Sequence, residues 1–216
     1  MDLMDNSVRK VLEEYEARSA DETKRWHAQE WKDFVRERDQ FLLAVGPATG
    51  QFMSVLVREA KPKVILEVGT SYGYSTLWLA EAARAVGGRV ITLELQANKQ
   101  EYARECMKRA GLADVVEFRL GDAPHLLTQL DTHVDFVLLD LWKDLYVPCF
   151  ELFYPRLNPG ALIVADNMLF PESARTHAST YREHVRRKAD MQSMLLPIGS
   201  GLEVSRYIRG LSAVEV

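Results

Sequence analysis

A chain of 216 residues, 47% of them hydrophobic, is long enough for one α/β domain with a sizeable core that needs no disulfide or metal staple. A formal charge of −4 and a pI near 5.8 argue against a broad phosphate-binding surface, so nucleic acid is not expected as a partner. No apolar run reaches bilayer length, Met1–Asp5 carry no signal-peptide pattern, and Cys106 and Cys149 form no CxxC pair; a cytoplasmic protein without membrane contact is expected.

Residues 1–40 read as a charged helical arm ahead of a larger domain over 41–216. Within the arm, Ser19-Ala20-Asp21-Glu22 has capping-box spacing and predicts a second helix carrying Trp26, Trp31, Phe34 and Val35. Such an arm can cover a crevice or pack on a partner subunit, which makes a homodimer through it an expectation.

From residue 64 onward, short apolar runs alternate with helical patterns, the mark of a βαβ array. Strands are predicted over Val64–Val68, Arg89–Glu94, Val115–Leu120, Val134–Asp140, Ala161–Ala165, Met191–Pro197 and Leu202–Ile208. Helices are predicted over Ser75–Ala85, Asn98–Ala110, Pro124–Leu130 and Asp144–Tyr154, with Asn158-Pro159-Gly160 as a turn. Ile198-Gly199-Ser200-Gly201 is short enough to close a hairpin. The fold expected is a Rossmann-like α/β domain: a seven-stranded, mostly parallel sheet, helices on both faces, one antiparallel edge strand.

Ligands of such sheets gather outside the carboxyl ends of the strands. Gly69 and Gly73 lie where the first strand turns into a helix, a place suited to close backbone approach and free amide donors. Ser71 stands where a dinucleotide fingerprint wants its second glycine, which disfavours a nicotinamide cofactor. Glu67 adds a carboxylate at the turn, so an adenosyl group with a charged amino-acid tail fits better. Glu94, ending the second strand, is suited to accept both hydroxyls of a ribose. Asp122, beside Ala123, is either an adenine contact or a helix cap.

The second cluster is acidic. Asp140 ends one apolar run, and Asp166-Asn167 end the next. Two carboxylates facing one crevice repel unless a cation separates them, and three hard oxygen ligands suffice for Mg²⁺ or another divalent ion. Lys143, three residues after Asp140, is a surface lysine on one reading; beside a cation it becomes a general base. Trp142 either walls a planar substrate or packs on the core.

On these residues the chain resembles the S-adenosylmethionine-dependent, cation-dependent class I O-methyltransferases, above all the catechol O-methyltransferases. The stretches that carry the resemblance are VGPATGQFM, VILEVGTSYGYST, LDLWKDLY, IVADN and GLEVSRY, within Phe41 to Tyr207. The resemblance implies that Asp140, Asp166 and Asn167 bind Mg²⁺, that Lys143 is the base and that Glu203 holds the second hydroxyl of a catechol. Glu67, Gly69, Tyr72, Gly73, Ser75 and Glu94 would surround S-adenosylmethionine, with Val45 at its methionine end. Asp122 and Ala123 would lie at the adenine, and Asp140 and Trp142 would border the cofactor. Phe41, Leu43, Trp142 and Pro171 would gate the aromatic ring, with Lys143 and Asn167 at its oxygens. Leu141 departs from the family's histidine near the adenine, and Phe41 and Leu43 replace a tryptophan and a methionine at the gate. Small aromatic diols are the expected acceptors. Bulkier phenols, such as a caffeoyl thioester or a polyketide-derived acceptor, and a non-catalytic cofactor-binding protein stand as alternatives.

Overall fold

The strands follow the order β3-β2-β1-β4-β5-β7-β6 across one sheet. They are β1 (Val64–Val68), β2 (Arg89–Glu94), β3 (Val116–Leu120), β4 (Val134–Leu139), β5 (Leu157–Ala165), β6 (Met191–Leu196) and β7 (Leu202–Tyr207). The computed structural model describes residues 4–28 and 37–209. β1 to β5 pair in parallel, and β7 inserts antiparallel between β5 and the edge strand β6. The antiparallel element expected at one edge is thus a β6–β7 hairpin, folded back on the sheet at Ile198–Gly201.

Both faces of the sheet are covered, which is why its central strands read as continuous apolar runs rather than alternating ones. Alternation survives in where each side chain goes. Ile65, Phe136, Leu138 and Val164 enter one core; Leu66, Val137, Leu139, Ile163 and Ala165 enter the other. The first core is roofed by α1 (Asn6–Ala28), α2 (Pro47–Ala60), α3 (Tyr74–Val86) and α4 (Ala97–Arg109). The second lies under α5 (Ala123–Thr128), α6 (Tyr146–Phe153) and α7 (Arg175–Arg186). Phe136 is fully buried at the sheet centre, and its truncation to alanine would cost roughly 3–5 kcal/mol.

Three expectations need correction. The boundary at residue 40 does not follow the packing, because Val8, Val11, Leu12 and Tyr15 of α1 are buried in the same core as α2 and α3. Nor does a second helix start at Ser19: α1 runs unbroken through Ala28, and Glu22 turns its carboxylate away from a cap to accept from Arg18 and from the amide of Leu42. Trp31, Phe34 and Val35 lie outside the described residues, as does the side chain of Trp26. Lastly, Asn158-Pro159-Gly160 is not a turn ahead of a strand. It is a bulge inside β5, where the pairing with β4 jumps from Val134↔Leu157 to Phe136↔Leu162 and Gly160 takes φ +87°.

The chain enters the sheet at β1, fills the β2–β3 side, and returns to β4 on β1's other flank. Between β1 and β4 the topology switches, and the carboxyl ends of β1, β2, β4 and β5 border the crevice that results. Among the described residues no helix is long and apolar enough to cross a membrane.

Candidate active site

At the tip of β1 the two glycines are required by the protein's own packing. A Cβ on Gly69 would sit 2.0 Å from the Asp140 carbonyl oxygen, and one on Gly73 would sit 2.8 Å from the Ala103 Cβ. Both also hold positive φ, +106° and +93°. Gly69 therefore lets the β1 tip press against the β4 tip, and Gly73 lets the start of α3 press on α4.

Glu67 departs from its expected role. Its side chain is fully buried and accepts three hydroxyl hydrogen bonds, from Ser75 at 2.6 Å, Thr76 at 2.5 Å and Thr92 at 2.6 Å. Burial pushes its carboxyl up to about 7 despite those donors. The carboxylate pins β1 to β2 and to the first turn of α3, so neither it nor the Ser75 hydroxyl is turned to a ligand. Thr92, a hydroxyl in the middle of the run Val90–Leu93, is a partner the sequence reading missed; a polar residue in a central strand is the signal that a buried charge needs it.

Glu94 stands at the mouth of the crevice. Its oxygens accept the amides of Ser71 and Gln96, each at 2.8 Å. Each carboxylate oxygen retains lone-pair capacity, so the residue fits a pair of ribose hydroxyls. Tyr72 turns the other way: Arg18 stacks on its ring at 4.1 Å, its hydroxyl donates to the Asp39 carbonyl, and its ring meets Tyr102 edge-on. Asp122 is the N-cap of α5, accepting from the His125 amide at 3.2 Å, so the cap of its two readings is formed.

The tips of β4 and β5 extend the parallel ladder by one rung each. The Asp140 amide donates to the Val68 carbonyl and the Asp166 amide to that of Leu139, which sets the two carboxylates side by side. Asp166 is 1% exposed, and its carboxyl is pushed up to about 7, first by burial and then by Asp140. Asn167 adopts φ +56° while its amide donates back to the Asp166 carboxylate. Lys143 Nζ lies between these groups, 2.8 Å from Asn167 Oδ1 and 3.4 Å from Asp140 Oδ1, and it also donates to the Leu141 carbonyl. Burial lowers its pKa below the ordinary lysine value, against the opposing pull of Asp140 and Asp166.

Tyr146 completes the group. Its hydroxyl donates to the Asp166 carbonyl at 3.1 Å and so accepts from Lys143 at 2.6 Å, while burial keeps the phenol protonated. Its position three residues after Lys143, on the first turn of α6, is the signal that ties it to the lysine. Asp140, Asp166 and Asn167 make a hard oxygen set with a residual like-charge conflict, which fits a small divalent cation that keeps several waters. Among the described residues no three His, Cys, Asp or Glu side chains gather as a metal site, so this carboxylate pair with an amide is the candidate.

The predicted gate residues divide. Phe41 is 3% exposed, with Arg25 over its ring at 5.0 Å, and Val45 is also buried. Leu43 and Trp142 are exposed at 45% and 47%. Pro171 follows a cis peptide in a loop whose Leu169 and Phe170 amides both donate to the Ser200 carbonyl of the β6–β7 turn. Glu203 does not join them. It is fully buried, and its oxygens are taken by Arg186, at 2.8 and 3.0 Å, and by the Ser193 hydroxyl. Fully buried behind this pair, Glu203 is held by the protein's own donors.

Comparison with known proteins identifies the family. The sequence profile described as O-methyltransferase matches residues 16–207. The chain is similar to a catechol O-methyltransferase of Niastella koreensis, 37% identical over 131 residues, which are 59% of this chain and 59% of that protein. It is also similar to the catechol O-methyltransferase of Mus musculus, 31% identical over 168 residues, 68% of this chain and 63% of the mouse protein. The chain therefore spans about three fifths of the length of these curated relatives. Among solved structures, an O-methyltransferase from Bacillus cereus in complex with SAH superposes with a TM-score of 0.73 at 27% identity, covering 94% of this chain and 91% of that one. With its profile matched over most of its length, the chain belongs to the O-methyltransferase family.

Proposed function

We propose that the protein is an S-adenosylmethionine-dependent O-methyltransferase for vicinal aromatic diols, assisted by a divalent cation. The observation that carries this reading is the Lys143 amine, hydrogen-bonded to Asn167 and Asp140 within one oxygen-rich cluster and lowered in pKa by burial. When bound, the cation supplies Lewis acidity to an acceptor hydroxyl and S-adenosylmethionine supplies an electrophilic methyl.

The chain's own residues do the rest. Asp140, Asp166 and Asn167 offer three oxygens that would hold the ion beside the acceptor. Lys143, neutral at the moment of reaction, takes the acceptor proton at Nζ, and the phenolate oxygen is then free to attack. Tyr146 and the Leu141 carbonyl accept Lys143 hydrogens and hold Nζ in place. Glu94 holds the ribose, and its anchoring by Ser71 and Gln96 fixes where the methyl donor lies. Holding donor and acceptor together accounts for much of the acceleration expected of such a site.

A bulkier aromatic acceptor is favoured by one observation: Leu43, Trp142, Leu169 and Phe170 are all large apolar side chains at least 40% exposed, on segments that flank the strand tips. The test of both readings is methylation of a panel of catechol, caffeate, larger diols and matched monophenols with a labelled methyl donor, with and without EDTA. Labelled diols, unlabelled monophenols and loss of signal with EDTA are expected. Equal labelling of monophenols, or activity surviving exhaustive chelation, rejects the cation-held diol.

A further inference from the structure

Glu22 bears on the cofactor site proposed above, on which its role rests. Glu22 is a nearly buried carboxylate in the middle of α1, where no helix-capping role explains it. One oxygen accepts from Arg18 Nε at 2.7 Å, a helical neighbour. The other accepts the buried amide of Leu42 at 2.6 Å, across twenty residues of sequence. Leu42 lies between Phe41 and Leu43, two of the four expected gate residues, and Leu43 is held at φ +48°, a backbone conformation that leucine rarely adopts.

The carbonyl of the same residue, in the next peptide unit, reaches the cofactor turn. The Leu42 carbonyl accepts from the Ser71 hydroxyl at 3.3 Å, and the Ser71 amide donates to Glu94 at 2.8 Å. A path of hydrogen bonds joined through the Leu42 backbone thus runs from Arg18 and Glu22, by way of Ser71, to the carboxylate assigned to the ribose. Further contacts from α1 fasten the same two segments: Arg18 donates to the Gln40 carbonyl at 3.0 Å and stacks on Tyr72, and the Tyr15 hydroxyl donates to the Tyr72 carbonyl at 2.5 Å. Of these, only the Glu22 bond satisfies a buried backbone donor of the gate with a carboxylate, the stronger class of hydrogen bond.

We propose that Glu22 is a positioning residue: through the Leu42 peptide it keeps residues 41–45 in register over the cofactor turn, so that α1 sets the affinity for the cofactor. Methyl transfer itself does not pass through it, so binding falls without Glu22 while the rate at saturation stays close to that of the wild type.

The test compares Glu22→Ala, Glu22→Gln and Ser71→Ala with the wild type by three readouts. These are hydrogen exchange of the Leu42 amide without ligand, calorimetric Kd for S-adenosylhomocysteine, and the split between KM for the methyl donor and kcat on a diol the wild type methylates. In Glu22→Ala, Leu42 exchange and the Kd are each expected to rise about tenfold, with kcat within about threefold. Glu22→Gln keeps an oxygen for the Leu42 amide and should recover most of the affinity. Ser71→Ala cuts the path at its other end without touching α1, and about a threefold rise in Kd is expected. An unchanged Kd in Glu22→Ala overturns the proposal, as does a Glu22→Gln variant as weak as the alanine one. Should Glu22→Ala fail to fold, an unchanged Kd in both remaining variants overturns it instead. A wild type that binds no S-adenosylhomocysteine breaks the cofactor reading, and Leu42 exchange then decides alone whether Glu22 holds the gate.

Discussion

At the tips of β1 and β2, Glu67 and Glu94 are held by donors the protein itself supplies: three hydroxyls on the first, two backbone amides on the second. At the tips of β4 and β5, Asp140 and Asp166 stand against each other with Lys143 as the nearest cation, and Asp166 has its carboxyl pushed up to about 7. Four acids at neighbouring strand ends thus do two kinds of work. The first pair is braced by the protein, and the second is an electrostatic conflict that a bound cation would relieve. What separates them is the supply of donors around each acid rather than its place in the sheet, and substitutions on the two sides should separate in the same way.

The largest effect is expected at the β4 tip. Asp140→Ala removes one of three oxygen ligands and should lower turnover by at least about a thousandfold, while the Kd for S-adenosylhomocysteine stays within about threefold. A divalent ion at a hundred times its Kd should stabilise the wild type by about 2.7 kcal/mol and leave Asp140→Ala nearly unmoved in the same thermal scan. Equal stabilisation of both would mean that the ion binds elsewhere. Lys143→Met should follow, with about a hundredfold to ten-thousandfold loss in kcat and an intact ion effect. Because burial lowers the lysine pKa, wild-type activity should rise with pH as Nζ loses its proton, along a limb below the ordinary lysine range. A pH–rate limb that persists in Lys143→Met would assign the base to another group.

On the β1 side the expected signature is in stability. The folded-state pKa of Glu67 is raised from 4.5 to about 7, so the folded protein holds a proton that the unfolded chain releases. The corresponding stability is complete below the unfolded value and is lost as pH rises from 4.5 to about 7, roughly 3 kcal/mol in all. Glu67→Gln cannot titrate and should flatten that decline. The measurement is denaturant unfolding across this window in the presence of saturating divalent ion, which keeps Asp166 from adding a slope of the same sign. A decline as steep in Glu67→Gln as in the wild type would place the titrating group elsewhere.

Much of this was legible in the sequence because it rests on local patterns. The apolar runs predicted each strand to within a residue or a few, since strands buried on both faces must be apolar throughout. The acids at their ends predicted the crevice, because strand ends in such sheets converge. What was not legible depends on distant partners. Ser19–Glu22 has a capping box's spacing, but spacing does not reveal that the Leu42 amide needs that carboxylate more than a helix start does. Gly69 and Gly73 looked like ligand-approach glycines, whereas the atoms pressing on them belong to Asp140 and Ala103. Glu67 looked like a ligand-facing carboxylate because nothing in its own stretch shows Thr92 reaching it from the next strand.

Glu203 puts the same lesson in its sharpest form, and its substitution carries the smallest expected effect on catalysis. GLEVSRY resembles a family stretch, yet register decides what the acid does: Glu203 pairs with Ala165 on one side and Leu195 on the other, and its carboxylate meets Arg186 and Ser193. The guanidinium of Arg186 is 43% exposed and can return to water once its partner is gone, which softens the penalty of breaking the pair. Glu203→Gln keeps the shape, still accepts one hydrogen bond, and should cost about 1–2 kcal/mol of stability. Its KM for a diol should stay within about twofold of the wild type, because Glu203 is fully buried behind its pair with Arg186. A rise in KM for diols but not for the cofactor, in a variant of unchanged stability, would restore Glu203 to the substrate and require Arg186 to release it on binding.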